Sequence, residues 1–180
     1  MAMLAYVFWH TSRVDRVEYE DRLATFQAAL AADKPEGFIR SAVFVFEQPL
    51  PWTPPGNTAY EDWYLVKDFA ALGRLNEEAV TGPRKVPHAH VASAAEWGTG
   101  GLYRLSSGTT EFEGARHVSW FAKPERVSYV DFYSRVGIEI DLWQRQMTLG
   151  PAPEFCMHTS RPYHEENALC REIIPIWTTP

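Results

Sequence analysis

The chain is short of the residues on which most recognisable chemistry depends. Its 180 residues include only two cysteines, Cys156 and Cys170, which excludes a disulfide framework, and two thiols in a chain with no sign of export read as reduced core residues. GxSxG, CxxC and a glycine-rich phosphate loop are all missing, which removes the common nucleophilic and phosphate chemistries. Gly98, Gly100 and Gly101 follow an expected helix and precede an expected strand, the wrong order for a phosphate cradle, so they read as a helix stop and turn. Long apolar runs are also missing, and nothing approaches the roughly 20 residues of a membrane span. Residues 1–9 are apolar, but they carry no basic region and His10 to Arg13 interrupt them, so they read as a strand and not a signal peptide. Excess positive charge is absent too. The net charge of −6 divides evenly, with 10 basic against 13 acidic side chains in residues 1–108 and 7 against 10 in residues 109–180. That balance argues against nucleic acid or a membrane surface as partner, and the cytoplasm is the expected location.

What is abundant is apolar and aromatic. Hydrophobic residues make up 46% of the chain and aromatics 14%, with seven Trp, eight Tyr and ten Phe, ample for one domain or two packed halves. A helical pattern occurs twice, starting at Arg16-Val17-Glu18-Tyr19 and at Arg126-Val127-Ser128-Tyr129. The stripe Tyr19, Leu23, Phe26, Leu30 maps onto Tyr129, Tyr133, Val136, Ile140 and continues through Trp143 and Met147, each stripe being one face of an amphipathic helix. Such repetition points to a duplicated α+β unit.

Residues 4–9 predict a strand, 16–32 a helix capped by Asp15 or Ser12, and 38–47 a second strand. A loop with Pro49, Pro51, Pro54 and Pro55 around Trp52 then leads to a third strand at 60–67. That loop is longer than a hairpin needs and suggests a lid or a partner contact. Asp68 caps a helix with Phe69, Leu72, Leu75 and Ala79 inward, further helical turns follow over 88–97, and 100–105 form a fourth strand. This βαββαβ order is the split ferredoxin-like unit, spanning 1–108. A trimmed second unit spans 114–180, with strands at 117–122, 154–159 and 170–177, a long helix over 125–149 and a polar turn at 161–167. Pro153-Glu154-Phe155 echoes Pro35-Glu36 before Phe38. A trimmed half could leave a sheet edge for a homodimer to cover.

The β-helix-β-β pattern, its doubling and the passage from Trp63-Tyr64-Leu65-Val66 into Asp68-Phe69-Ala70-Ala71-Leu72 resemble the dimeric α+β barrel superfamily, which includes the NIPSNAP, EthD-like and antibiotic-biosynthesis monooxygenase families. The resemblance implies an α+β barrel of tandem ferredoxin-like repeats. It transfers no catalytic residue, because no catalytic motif is matched.

Histidines are the sharpest candidates for chemistry. His10 ends the first strand, where a barrel cavity would open, and an imidazole there could serve as general base toward an acidic C–H or phenolic O–H. The alternative for His10 is a hydrogen-bonded residue at the strand end. His88 and His90 lie two apart, about 200° around a helix, so they cannot share a metal and no metal site is expected. One should face inward and the other water. A pocket for a flat hydrophobic or aromatic molecule could be lined by Trp9, Trp63, Tyr64 and Trp120, with Trp97 and Tyr103 beside them. Arg40 or Tyr64 would be its polar anchor, with His90 and His117 as further contacts. The expectation is a small-molecule enzyme of monooxygenase or isomerase type working without a cofactor. The alternatives are a haem-binding barrel like the chlorite dismutase-like proteins, with His117, His158 or His90 on the iron, and a non-catalytic binding or assembly module.

Overall fold

Strand alternation divides the buried apolar residues of this chain between the inside of a barrel and two clusters beneath helices. The structure, a computed structural model, describes residues 3–136, 141–163 and 167–179. Among these are eight strands: β1 (Leu4–Ser12), β2 (Phe38–Phe46), β3 (Ala59–Val66), β4 (Ala95–Ser107), β5 (His117–Phe121), β6 (Leu142–Arg145), β7 (Phe155–Thr159) and β8 (Leu169–Thr178). The helices are α1 (Arg16–Ala32), α2 (Phe69–Glu78), α3 (Lys85–Ala94) and α4 (Tyr129–Val136), with a 3-10 turn at Gly82–Arg84. All strand pairs are antiparallel, and they close into one barrel in the order β1-β3-β2-β8-β5-β7-β6-β4. The order β4-β1-β3-β2 is repeated as β8-β5-β7-β6, and the two sets join through β2–β8 and β4–β6. This is an α+β barrel. Its closure leaves no free edge among the described strands, so the edge argument for a homodimer does not apply. No helix among the described residues is long and apolar enough to cross a membrane.

Inward-facing residues fill the barrel. Val7 and Trp9 of β1, Phe44 and Phe46 of β2, and Trp63 of β3 meet Val118, Trp120, Trp143 and Cys156 from the other strands. Trp63 and Trp143 pack with ring centroids 5.2 Å apart. The proline-rich loop does not project as a lid. Its Trp52 turns back to plug one end, 5.6 Å from the Trp9 ring and 5.0 Å from that of Trp120. The outer faces of β1 and β3 carry the second core, where Leu4, Tyr60, Tyr64 and Val66 meet Tyr19, Leu23, Phe26 and Leu30 of α1. Asp15 and Asp68 start α1 and α2 by accepting from the backbone N–H of Glu18 at 3.1 Å and Ala71 at 2.8 Å. Gly37, at φ +82°, ends the turn after α1, and a Cβ there would lie 2.6 Å from that of Ala71, so α2 docks because the residue is glycine.

The second half departs from its expected reading. The helix expected over 125–149 is confined to Tyr129–Val136, and Leu142–Arg145 is a strand paired with both β4 and β7. The reason is tertiary. Without β6 the facing edges of β4 and β7 would keep unpaired N–H and C=O groups, and Trp143 would leave the barrel. α4 turns Phe132 inward and leaves Tyr129 46% exposed, so its stripe is out of phase with that of α1. Ile140 of that stripe and part of the 161–167 turn lie outside the described residues. Because β6 occupies the place of β2 in the repeated order, Phe155 belongs to the counterpart of β3, and the echo of Pro35-Glu36 does not mark equivalent strands. β4 starts at Ala95, not Gly100, because its ladder with β1 continues through Trp97↔Thr11 and, past a register shift, to Ala95↔Ser12. Phe69, expected inward, is 62% exposed.

Trp120→Ala should lower stability by about 3–5 kcal/mol in urea unfolding, the usual cost of emptying a buried aromatic site. Trp52→Ala should cost less, since its ring is only partly buried; equal costs would contradict its role as an end plug.

Candidate active site

Between the outer face of the barrel and its helices lies a cavity of about 770 Å³. Its floor is Tyr6, Phe8 and His10 of β1 with Asp62 and Tyr64 of β3; α1 supplies Tyr19, Leu23 and Phe26, α2 Leu72, Leu75 and Asn76, and α3 His88 and Val91. The alternating positions 6, 8, 10 and 62, 64 share one side of the sheet because the strand period is two. The glycines of β4 make room for this floor. A Cβ on Gly100 would lie 2.7 Å from the Tyr6 ring, and one on Gly98 would run into the Phe8 ring. These glycines, read from the sequence as a helix stop, lie within the strand and accept aromatic rings over their backbone.

A buried polar chain crosses the floor. His10 Nε2 is 3.0 Å from Asp62 Oδ1, and His10 Nδ1 is 2.8 Å from the Tyr19 hydroxyl. Tyr64 donates its O–H to Asp62 Oδ2 at 2.6 Å and accepts from Gln27 Nε2 at 3.0 Å. Burial pushes the Tyr19 phenol up, with the Asp62 charge adding to it, and the same two causes raise Tyr64. Both are therefore phenols with a proton to give. Tyr19 donates to Nδ1, which leaves the imidazole proton on Nε2, where it donates to Asp62. The carboxylate thus accepts two charge-assisted hydrogen bonds and keeps further lone pairs beside the cavity. His10 also stacks on Phe8 at 5.0 Å and on Tyr60 at 5.5 Å. Burial, then the Asp62 charge, raises the Tyr6 phenol as well.

The candidate residues divide sharply. His10 and Tyr64 line the cavity, whereas Trp9, Trp63 and Trp120 point into the filled barrel, with Trp9 donating its indole N–H to buried Glu61 at 2.8 Å. Cavity and barrel interior are therefore different places, because neighbouring residues on a strand face opposite ways. Arg40 sits at the barrel rim, paired with Glu111 at 2.5 Å. His90 is exposed on α3, while His88, its companion, lines the cavity. His117 begins β5 in the other half, where the region under α4 is filled by Phe121, Phe132 and Phe155. His158 lies inside the barrel against Phe44, Trp63 and Phe112. None of the three histidines considered for a haem iron lines the cavity. Sequence reading passed over Asp62, Tyr19 and Gln27. A signal existed: Asp62 is an acidic residue that alternation places on the same face of its strand as Tyr60 and Tyr64, and Tyr19, Leu23 and Gln27 step by four along one face of α1.

No protein-family model matches the chain, and no curated protein matches it in sequence. Among solved structures, it resembles a candidate monooxygenase from Fusobacterium nucleatum subsp. nucleatum ATCC 25586 (TM-score 0.65, 10% identity, 98% of this chain and 94% of that one). A candidate monooxygenase from Lactobacillus acidophilus NCFM is also similar, with TM-score 0.59, 10% identity and coverage of 99% and 96%. So is an anthrone oxidase-like protein, with TM-score 0.54, 8% identity and coverage of 98% and 93%. At these identities the likeness is one of fold.

The raised phenols predict an alkaline limit to stability. Tyr60, against His10 and Tyr19, is pushed up to about 12 by burial, with the Glu20 charge adding to it. An unfolded tyrosine titrates near 10, so this contribution is complete below about pH 10 and is lost as pH rises through about 12. Urea midpoints measured from pH 8 to 12 should hold level to about 10 and then fall, more gently in Tyr60→Phe; a midpoint that stays level to pH 12 would contradict the assignment.

Proposed function

We propose that this chain is a small-molecule enzyme of the monooxygenase type that works without a bound cofactor on a hydrophobic or aromatic metabolite in the cytoplasm. The observation that carries this reading is the Asp62 carboxylate, held by His10 and Tyr64 at the floor of an aromatic cavity. The fold shared with candidate monooxygenases agrees with it. We also read residues 1–108 and 114–180 as two ferredoxin-like repeats, the second trimmed, which the repeated strand order supports.

The hydrogen bonds refine the role expected of His10. Both its ring nitrogens are engaged, so the free lone pairs belong to Asp62, and Asp62 is the proton acceptor. His10 orients that carboxylate and places a proton donor against its charge, and Tyr19 fixes the imidazole tautomer. A bound molecule with an acidic C–H or phenolic O–H would pass its proton to Asp62, leaving the electron pair delocalised over the ring system. An electron-rich anion of that kind can reduce dioxygen directly, the substrate being the reductant. The apolar walls around the acceptor lower the local dielectric and strengthen the electrostatics of the transfer.

The test is oxygen uptake and product analysis with a panel of hydroxylated two- and three-ring aromatics. Asp62→Asn should lower kcat by about 10²–10⁴-fold, and Tyr19→Phe by less. Turnover by Asp62→Asn equal to wild type, or no turnover of any panel member by wild type, would overturn the assignment.

A further inference from the structure

Of the polar groups lining the cavity, most lie in or beside the chain around Asp62; two stand apart, the exposed Asn76 of α2 and the half-buried His88 of α3. His88 is on α3 with its ring edge-on to Phe26, centroids 5.3 Å apart. No hydrogen bond joins its ring to any described residue. Burial pushes the imidazole below its ordinary range, so at neutral pH the ring presents one N–H donor and one bare nitrogen acceptor. Its place is fixed by α1. Phe26 lies seven residues beyond Tyr19, which at 1.5 Å per residue is about 10 Å along the helix axis, and Tyr19 is the residue that touches His10. Helix α3 is itself tied down: Arg22 of α1 donates to the His90 carbonyl at 3.0 Å, and Arg13 donates to the Ala95 carbonyl at 3.0 and 2.7 Å. Between the two polar points the walls are Leu23, Phe26 and Val91.

We propose that His88 is a specificity-determining residue, which hydrogen-bonds a second hydroxyl or carbonyl at the end of the ligand remote from the proton removed by Asp62. The inference rests on the function proposed above. It narrows the ligand class to flat apolar molecules of about two fused rings or more with an oxygen at each end. A molecule with one oxygen would leave His88 unpaired in a half-buried place and bind less tightly. The fixed roof makes this selection by position, since α3 need not move to meet the ligand.

Binding of 2-naphthol and 2,6-dihydroxynaphthalene, measured by calorimetry on wild type, His88→Phe, His88→Gln and Asp62→Asn, tests this. Wild type should favour the diol by about three- to tenfold, the net worth of one hydrogen bond. His88→Phe, which keeps a flat ring and gives up both nitrogens, should erase that preference while holding 2-naphthol as before, and His88→Gln should restore part of it. Equal affinity of wild type for the two probes, or a preference that survives in His88→Phe, overturns the role of His88 and leaves the Asp62 reading standing. Failure of both probes to bind wild type overturns the two together. Loss of 2-naphthol affinity in His88→Phe marks the residue as structural and also overturns the proposal. Asp62→Asn should weaken both probes alike and keep the preference for the diol; a preference lost there as well would show that the selection is made at Asp62.

Discussion

A carboxylate taken out of water needs donors, and that requirement organises the site. Asp62 is buried beneath the helices, where an unmatched charge would cost several kcal/mol. Two donors meet it, His10 from the adjacent strand and Tyr64 from its own, and each of these has its own partner in turn, Tyr19 and Gln27 on α1. Three elements are therefore held in register by one chain of hydrogen bonds. The helix supplies Tyr19 and Gln27 eight residues apart, just over two turns, which matches the reach from His10 to Tyr64. The packing of α1 and the chemistry of the floor are one arrangement.

The same strand positions serve the barrel on the other side. Trp9 and Glu61 are cross-strand partners that face inward, next in sequence to His10 and Asp62, which face outward. Inside, the indole rings of Trp9, Trp63, Trp120 and Trp143 are buried in one packed cluster. Outside, the helices stand over glycines that let Tyr6 and Phe8 lie flat, and a cavity remains. Rigidity on one face supports recognition on the other, since a floor backed by a packed interior holds its side chains in place.

Much of the architecture was legible in the sequence because periodicity reports burial. Strand runs apolar on both sides of the pleat, the Tyr19 stripe and the caps at Asp15 and Asp68 pointed to strands covered on both faces with helices against one of them, and the barrel itself was what the resemblance to the α+β barrel superfamily implied. The strand at Leu142–Arg145 was not legible, since four residues following a helical stripe carry no period of their own and only the gap between β4 and β7 makes them extended. The site was half legible. His10 stood out as a polar residue at a strand end, but which way it faced depended on the barrel's closure. Pocket residues chosen for being aromatic fell into the barrel, because Trp9, Trp63 and Trp120 share composition with a binding site and not its side of the sheet. Asp62 was hidden by the acidic residue next to it.

The place of β8 also bears on how the chain folds. β8 lies between β2 and β5, and its ladder with β2 joins residues more than a hundred positions apart, such as Phe46 and Ile173. A contact of that sequence separation closes late, after the loop entropy of the whole intervening chain has been met. On a ribosome, β1 to β4 emerge first as a sheet whose helix-covered side can already be buried, with Trp9 and Trp63 on the side still open. Trp63 lacks its contacts with Trp143 and His158 until the second half appears. The nascent protein thus passes through an interval with a bare aromatic surface, the kind of species that chaperones bind and that self-associates when they do not.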